Sequence, residues 1–230
     1  MSTWSRVNGI NTQSSTTTNS IAVTLTWSAT AGNKLVVALG QNAGSTSGLS
    51  VSDNGSPANT WSAVDSESHS NQCTVWATTV TTGGELTITA TLTTAAKACL
   101  FVDEFTSATG VGATESAVAA GSSSTSASPG TVTPTGTDLI YAAFMSYGNL
   151  GTVSVSSPFS LAQTASTNNE AGGATAFAAD QTSAQTPTFS FAGGGNWASV
   201  GFGVKAASAA VFVPFHQLFR GLNHSLMDTP

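Results

Sequence analysis

Apolar and hydroxyl side chains alternate with a period of two, in short runs broken by Gly, Ser, Asn or Thr, from the N-terminus to about residue 206. That spacing fits an extended chain with one buried face and excludes amphipathic helices over the same stretch. Ile21, Val23, Leu25 and Trp27 fall on one side, with Ala22, Thr24 and Thr26 opposite. Leu86, Ile88, Ala90 and Leu92 repeat the arrangement against Thr87, Thr89 and Thr91. Residues 35–39 and 139–145 are continuously apolar, which predicts central strands covered on both faces, by a second sheet and by loops or a neighbouring subunit. Further strands are predicted over 72–79, 98–105, 159–165, 174–179, 186–191 and 197–205. Ten or more strands without an intervening helix predict an all-β fold, a two-sheet antiparallel sandwich with the jelly roll as the favoured winding. Segments 12–20, 41–50, 65–71 and 106–134 are polar and nearly uncharged, and read as ordered surface loops rather than domain boundaries. Residues 1–207 are therefore expected to form one β-sandwich domain.

Composition narrows the function classes. Of 230 residues, 5 are Lys or Arg and 11 Asp or Glu, while Ser and Thr together number 69. So few charges exclude a long coiled coil, and 40% apolar content with a net charge of -6 excludes a disordered chain. Five scattered cations form no stripe for a phosphate backbone, so no nucleic-acid partner is expected, nor an anionic membrane surface. The longest apolar run, residues 139–145, falls far short of the roughly 20 residues of a spanning helix. The start, Met-Ser-Thr-Trp-Ser-Arg, lacks an apolar signal core, which predicts a protein retained in the cell that makes it unless another route releases it. Cys73 and Cys99 are too few for a disulfide framework and are expected as buried thiols on neighbouring strands.

Composition changes after residue 207. Phe215, Leu218, Phe219 and Leu222 sit at i, i+3, i+4 and i+7 behind Pro214, which predicts a short amphipathic helix in a C-terminal arm, 208–230. With Phe212 these side chains form an apolar set that a lone monomer seldom exposes, so the arm is expected to dock on another subunit.

Several short segments carry a family resemblance. Gly32-Asn33 ahead of the apolar run at Leu35, Asn59-Thr60-Trp61 closing the loop that begins at Asp53, and Glu104-Phe105 late in the first half are the matching positions. This pattern resembles a β-sandwich module that recurs in phage virion proteins and bacterial surface proteins. It covers roughly residues 1–207, and departs from the family where Ser56-Pro57-Ala58 is inserted in the loop. The resemblance implies a non-enzymatic module for display, adhesion or decoration, and the missing signal core favours the virion.

Candidates for chemistry are sparse. His69 lies in a Ser-rich stretch and His216 and His224 in the arm, with no Gly-x-Ser-x-Gly elbow, so no Ser/His/Asp site is expected. Asp103 and Glu104 are adjacent on a strand and must face opposite sides, which prevents a carboxylate pair. Asp53, Asn54 and Asp65 could offer oxygen ligands to calcium, but fit turn-making roles better. Trp61, Trp76, Trp197 and Tyr147 form the candidate glycan platform, whereas Trp4 and Trp27 fit inward positions. The expected function is a non-enzymatic virion structural protein, a phage capsid decoration or cement subunit without cofactor. Its partners would be the major capsid protein or other virion subunits and its own copies, in a homo-oligomer with three-fold symmetry favoured. The alternative is a carbohydrate-binding or host-adhesion module of a tail, fibre or cell-surface protein.

Overall fold

The computed structural model describes residues 3–42, 48–166 and 171–207. The first half of the chain supplies β1 (Trp4–Gln13), β2 (Thr18–Thr24), β3 (Lys34–Gln41), β4 (Ser50–Asp53), β5 (Ser62–His69), β6 (Asn71–Thr79), β7 (Thr87–Ala96) and β8 (Ala98–Ser107). The second half supplies β9 (Val111–Ala127), β10 (Asp138–Tyr147), β11 (Val153–Val155), β12 (Ser160–Ala165), β13 (Ala171–Gln181) and β14 (Phe189–Ala206). All described strand pairs are antiparallel. The fold is thus all-β, and the alternation accounts for it locally. Ile21 and Val23 of β2 and Ile88, Ala90 and Leu92 of β7 are buried, while Ala22, Thr24 and Thr91 between them are exposed.

The described strands occupy three sheets rather than two: β1-β8-β3-β6-β5, β2-β7-β4, and β11-β14-β10-β13-β12 with β9 also paired to β14. The second half repeats the winding of the first. Its order β9-β14-β10-β13-β12 matches β1-β8-β3-β6-β5, and β11 on β14 matches β4 on β7. The registers agree where the short third strand joins the ribbon. Val23 opposite Ile88 and Asp53 opposite Ile88 in the first half correspond to Ala127 opposite Phe189 and Val155 opposite Phe189 in the second. The isolated bridge Ala29–Gly84 likewise corresponds to Val132–Gln185. One difference marks the copy: β9 spans the places of both β1 and β2, and β14 those of β7 and β8. Their ladder is interrupted between Ser190 and Gly195, where a bulge bends the long ribbon. Only glycine fits at Gly193, because a Cβ there would collide with the Asn149 carbonyl.

The described strands thus form a pair of like-wound modules meeting after Ser107. Two segments expected to be loops are strands. Segment 65–71 belongs largely to β5 and the start of β6, and segment 106–134 contains β9. Both are rich in Ser, with polar side chains on both faces, so they show no apolar alternation; each is held by the ladder to one neighbour, β6 or β14, and by lying against the other module.

Three apolar layers result. The first module encloses Ile21, Val23, Leu35, Val37, Ile88 and Leu100. The second encloses Ile140, Phe144, Phe159, Phe189 and Phe191, with Phe144 stacked on Phe191 at 4.9 Å between ring centroids. Between the modules lie Val36, Val75, Phe101, Phe105, Leu139, Tyr141, Val200 and Phe202. Each large side chain in that layer contributes roughly 1.5–3 kcal/mol by leaving water. This middle layer explains the two continuously apolar runs, since the cover for the outer face of β3 is the sheet of the other module, and likewise for β10. The contact is reciprocal. β1 lies over β12 and β5 over β9, β8 over β13 and β6 over β14, while β3 faces β10. Such pairing of equivalent elements is the geometry of an isologous dimer interface, here within one chain.

Cys73 and Cys99 lie in the middle layer as free thiols. They are not on neighbouring strands: both flank Gly40 of β3, from β6 and β8. Two strand spacings are roughly 9.6 Å, beyond the ~7 Å that a disulfide spans between Cα atoms. Burial pushes the Cys99 thiol up to about 12 and raises Cys73 as well. Neither thiol is expected to react with iodoacetamide at pH 8 while the protein is folded, and both are expected to react in denaturant. Stoichiometric alkylation of the native protein, read by mass spectrometry, would contradict this packing.

Candidate functional site

The interior carboxylates are held by structural donors. Asp103 on β8 is fully buried and faces the second module. It pairs with Arg6 at 2.7 Å and accepts hydrogen bonds from Gln163 Nε2 at 2.9 Å, Tyr141 Oη at 3.0 Å and Thr175 Oγ1 at 3.0 Å. Glu104 faces the other way, as neighbouring strand positions require, and accepts from Asn33 Nδ2 at 2.7 Å, the Thr30 amide at 2.9 Å and Trp27 Nε1. Asp53 accepts from Trp61 Nε1 at 2.8 Å and from the amides of Gly55 and Asn59, so it closes its loop by binding N–H donors. Asp65 lies on β5 and accepts from the Ser66 amide. Among the described residues no three His, Cys, Asp or Glu side chains are grouped as a metal site.

Glu115 and Asp138 form a second kind of acid site in the second module. Glu115 pairs with Lys205 at 2.7 Å and accepts from the Thr135 amide and hydroxyl. Burial acts to raise its pKa, but the hydrogen bonds of Lys205, Asp138 and Thr135 outweigh it and hold the carboxyl at about 2. Asp138 is raised, by burial first and then by its bond to Glu115. A carboxyl raised in the folded state gives stability that is full below its unfolded value and is lost as pH rises through the folded value. Asp138→Asn is therefore expected to raise the melting temperature at pH 7, with little effect near pH 3. An unchanged melting temperature at pH 7 would refute that assignment.

The four rings of the candidate glycan platform do not share a surface. Trp76 is 5% exposed in the core of the first module, and Trp197 is 6% exposed in that of the second, where its Nε1 donates to Ser124 Oγ at 3.0 Å. Neither ring presents a face to a sugar, because both strands are covered on the side that carries the indole. Trp61 is half-buried against the first core. Tyr147, at the end of β10, is 42% exposed. Trp4 is buried and Trp27 half-buried. Phe212, Phe215, Leu218, Phe219 and Leu222 lie outside the described residues.

Two clefts open where the modules meet, one at each end of β3. The larger, about 370 Å³, is lined by Asn42, Ser70, Asn71, Tyr147, Gly195 and Asn196. Its walls are tied together by Asn71 Nδ2 and Ser146 Oγ, which donate to the Asn196 carbonyl at 2.6 and 2.8 Å. Beside it His69 Nε2 lies 3.5 Å from Ser123 Oγ, a long contact in an exposed position, and no carboxylate bonds that imidazole among the described residues. The smaller cleft, about 270 Å³, contains Lys34. Neither depends on one module alone, and a sequence reading that saw no second module had no means of assembling them. No family model, curated protein or solved structure matches this chain.

Proposed function

We propose that the protein is a non-enzymatic structural subunit of a virion surface, a decoration subunit whose paired modules face outward and whose arm, 208–230, holds it to its shell or to its own copies. The observation that carries this reading is the employment of the acids: the buried Asp103 and Glu104 and the half-buried Asp53 are bonded to donors that hold loops and modules in place, the use a scaffold makes of its carboxylates. The Thr-rich outer faces of β2 and β7 suit a surface where many copies crowd with little repulsion. The first eight strands follow, on this reading, a jelly-roll winding, with β1-β8-β3-β6-β5 and β2-β7-β4 as its two sheets.

Sedimentation of the full chain, compared with a chain ending at residue 207, tests the proposal. The full chain is expected to associate and the shortened one to be monomeric with the same circular dichroism. Phe215→Ala with Phe219→Ala should reproduce most of the loss, at about 2–4 kcal/mol per buried anchor. A monomeric full chain whose shortening lowers its melting temperature overturns the docking role. Glycan turnover that disappears in one carboxylate variant overturns the non-enzymatic one.

The host-adhesion reading rests on the cleft beside Tyr147, where an exposed ring adjoins the amides of Asn42, Asn71 and Asn196. An aromatic face with neutral amides is a chemistry that takes sugars. Loss of oligosaccharide binding in Tyr147→Ala would support it, and equal binding by both proteins would remove it.

A further inference from the structure

Lys34, the first residue of β3, is 5% exposed, and its Nζ donates to Thr79 Oγ1 at 2.9 Å. Among the described residues the ion pairs are Arg6–Asp103 and Lys205–Glu115, so the Lys34 ammonium is buried without a carboxylate. Burial alone lowers its pKa. A cation in such a place costs free energy that a bonded hydroxyl only partly offsets. The acid nearest in sequence to the opposite wall, Glu115, is occupied by Lys205 and Thr135. The cleft around Lys34 is lined by Thr60, Ser62 and Thr79 of the first module and Ala113 and Thr114 of β9, and is open to solvent-sized molecules over about 270 Å³.

We propose that this cleft is a binding site for an acidic saccharide unit, whose single carboxylate or sulfate group pairs with Lys34 while its hydroxyls meet the Ser and Thr lining. The charge count selects the ligand. One cation with neutral hydroxyl donors matches a singly charged oxyanion, whereas a phosphate dianion calls for a second cation or an Arg fork. A net charge of -6 repels extended polyanions such as nucleic acid at long range, but a single residue with one charge is repelled little. The volume corresponds to roughly nine water molecules at ~30 Å³ each, enough for one sugar ring. Hydroxyl-lined walls bond equally well to sugar hydroxyls as donors or acceptors. The site needs both modules, since Thr114 comes from the second.

Titration calorimetry and ¹H–¹⁵N spectra of the full chain at low ionic strength test this with glucuronate, glucose 6-sulfate, glucose and inorganic phosphate. Glucuronate or glucose 6-sulfate is expected to bind and to shift the amides of Lys34, Thr79 and Thr114, with glucose and phosphate weaker by about tenfold or more, the scale of a charge-assisted bond. Which of the two anions binds better separates the carboxylate and sulfate sources. Lys34→Met, which removes the charge and keeps the stem, should abolish binding with the melting temperature unchanged or raised. Thr114→Val probes the opposite wall if Lys34→Met fails to fold, and should weaken binding severalfold. Equal affinity in the wild type and in these variants, tighter binding of phosphate than of either sugar acid, or no binding by the folded wild type at tens of millimolar ligand overturns the proposal.

Discussion

Asp103→Ala is expected to cost about 3–5 kcal/mol of stability, the scale for removing one member of a buried ion pair. Its carboxylate joins the modules, taking Arg6 from the first and Tyr141, Gln163 and Thr175 from the second. Its removal leaves the Arg6 guanidinium and the Tyr141 and Thr175 hydroxyls without their common anionic acceptor, while the Gln163 amide keeps only its bond to the Val102 carbonyl. Asp103→Asn keeps the volume and should fall between the two, and Tyr141→Phe, which deletes a single bond, should cost about 1 kcal/mol. Urea unfolding followed by circular dichroism provides the measurement. If Asp103→Ala unfolds within about 1 kcal/mol of the wild type, the junction is held by apolar packing and this acid is incidental to it.

Glu104→Ala should cost about 3 kcal/mol, because three donors from the segment leading into β3 lose their common acceptor: Trp27 Nε1, the Thr30 amide and Asn33 Nδ2. Glu104→Gln is the sharper probe. It preserves shape but turns an NH2 group toward donors, so it should also destabilise. The effect should stay in the first module, with the emission of Trp27 shifting before the global transition. A Glu104→Gln protein with wild-type stability and emission would show that the loop closes without the carboxylate.

The all-β character was legible because it lies in the alternation itself, which the half-buried faces of β2 and β7 impose on every second residue. The repeat was not, because the copies preserve polarity and position rather than identity: Ala127 stands in the place of Val23, and Phe189 in that of Ile88. A faint signal exists. Gly32-Asn33-Lys34-Leu35 and Gly136-Thr137-Asp138-Leu139 each open a continuously apolar run, 104 positions apart (136 against 32). The strands β5 and β9 escaped detection for a physical reason, since a Ser-rich edge strand held by one ladder and by the facing module needs no apolar alternation. Trp76 and Trp197 looked like surface candidates because a strand covered on both sides loses the period that distinguishes in from out. Lys34 could not be singled out at all. The cleft around it is closed in part by residues of the other module, some 80 positions along the chain (114 against 34).

The two ends of the described chain are fastened differently. β1 is an edge strand, bonded within its sheet to β8 alone, whereas β14 runs between β9 and β10 and is laddered on both sides to its end. Under tension the N-terminal strand must therefore break one ladder and the C-terminal strand two, so the molecule is mechanically polar. A load applied through residue 207 enters the middle of a sheet and is shared at once by two neighbours. A load applied at the N-terminus meets a strand that can peel away while the rest of the structure remains.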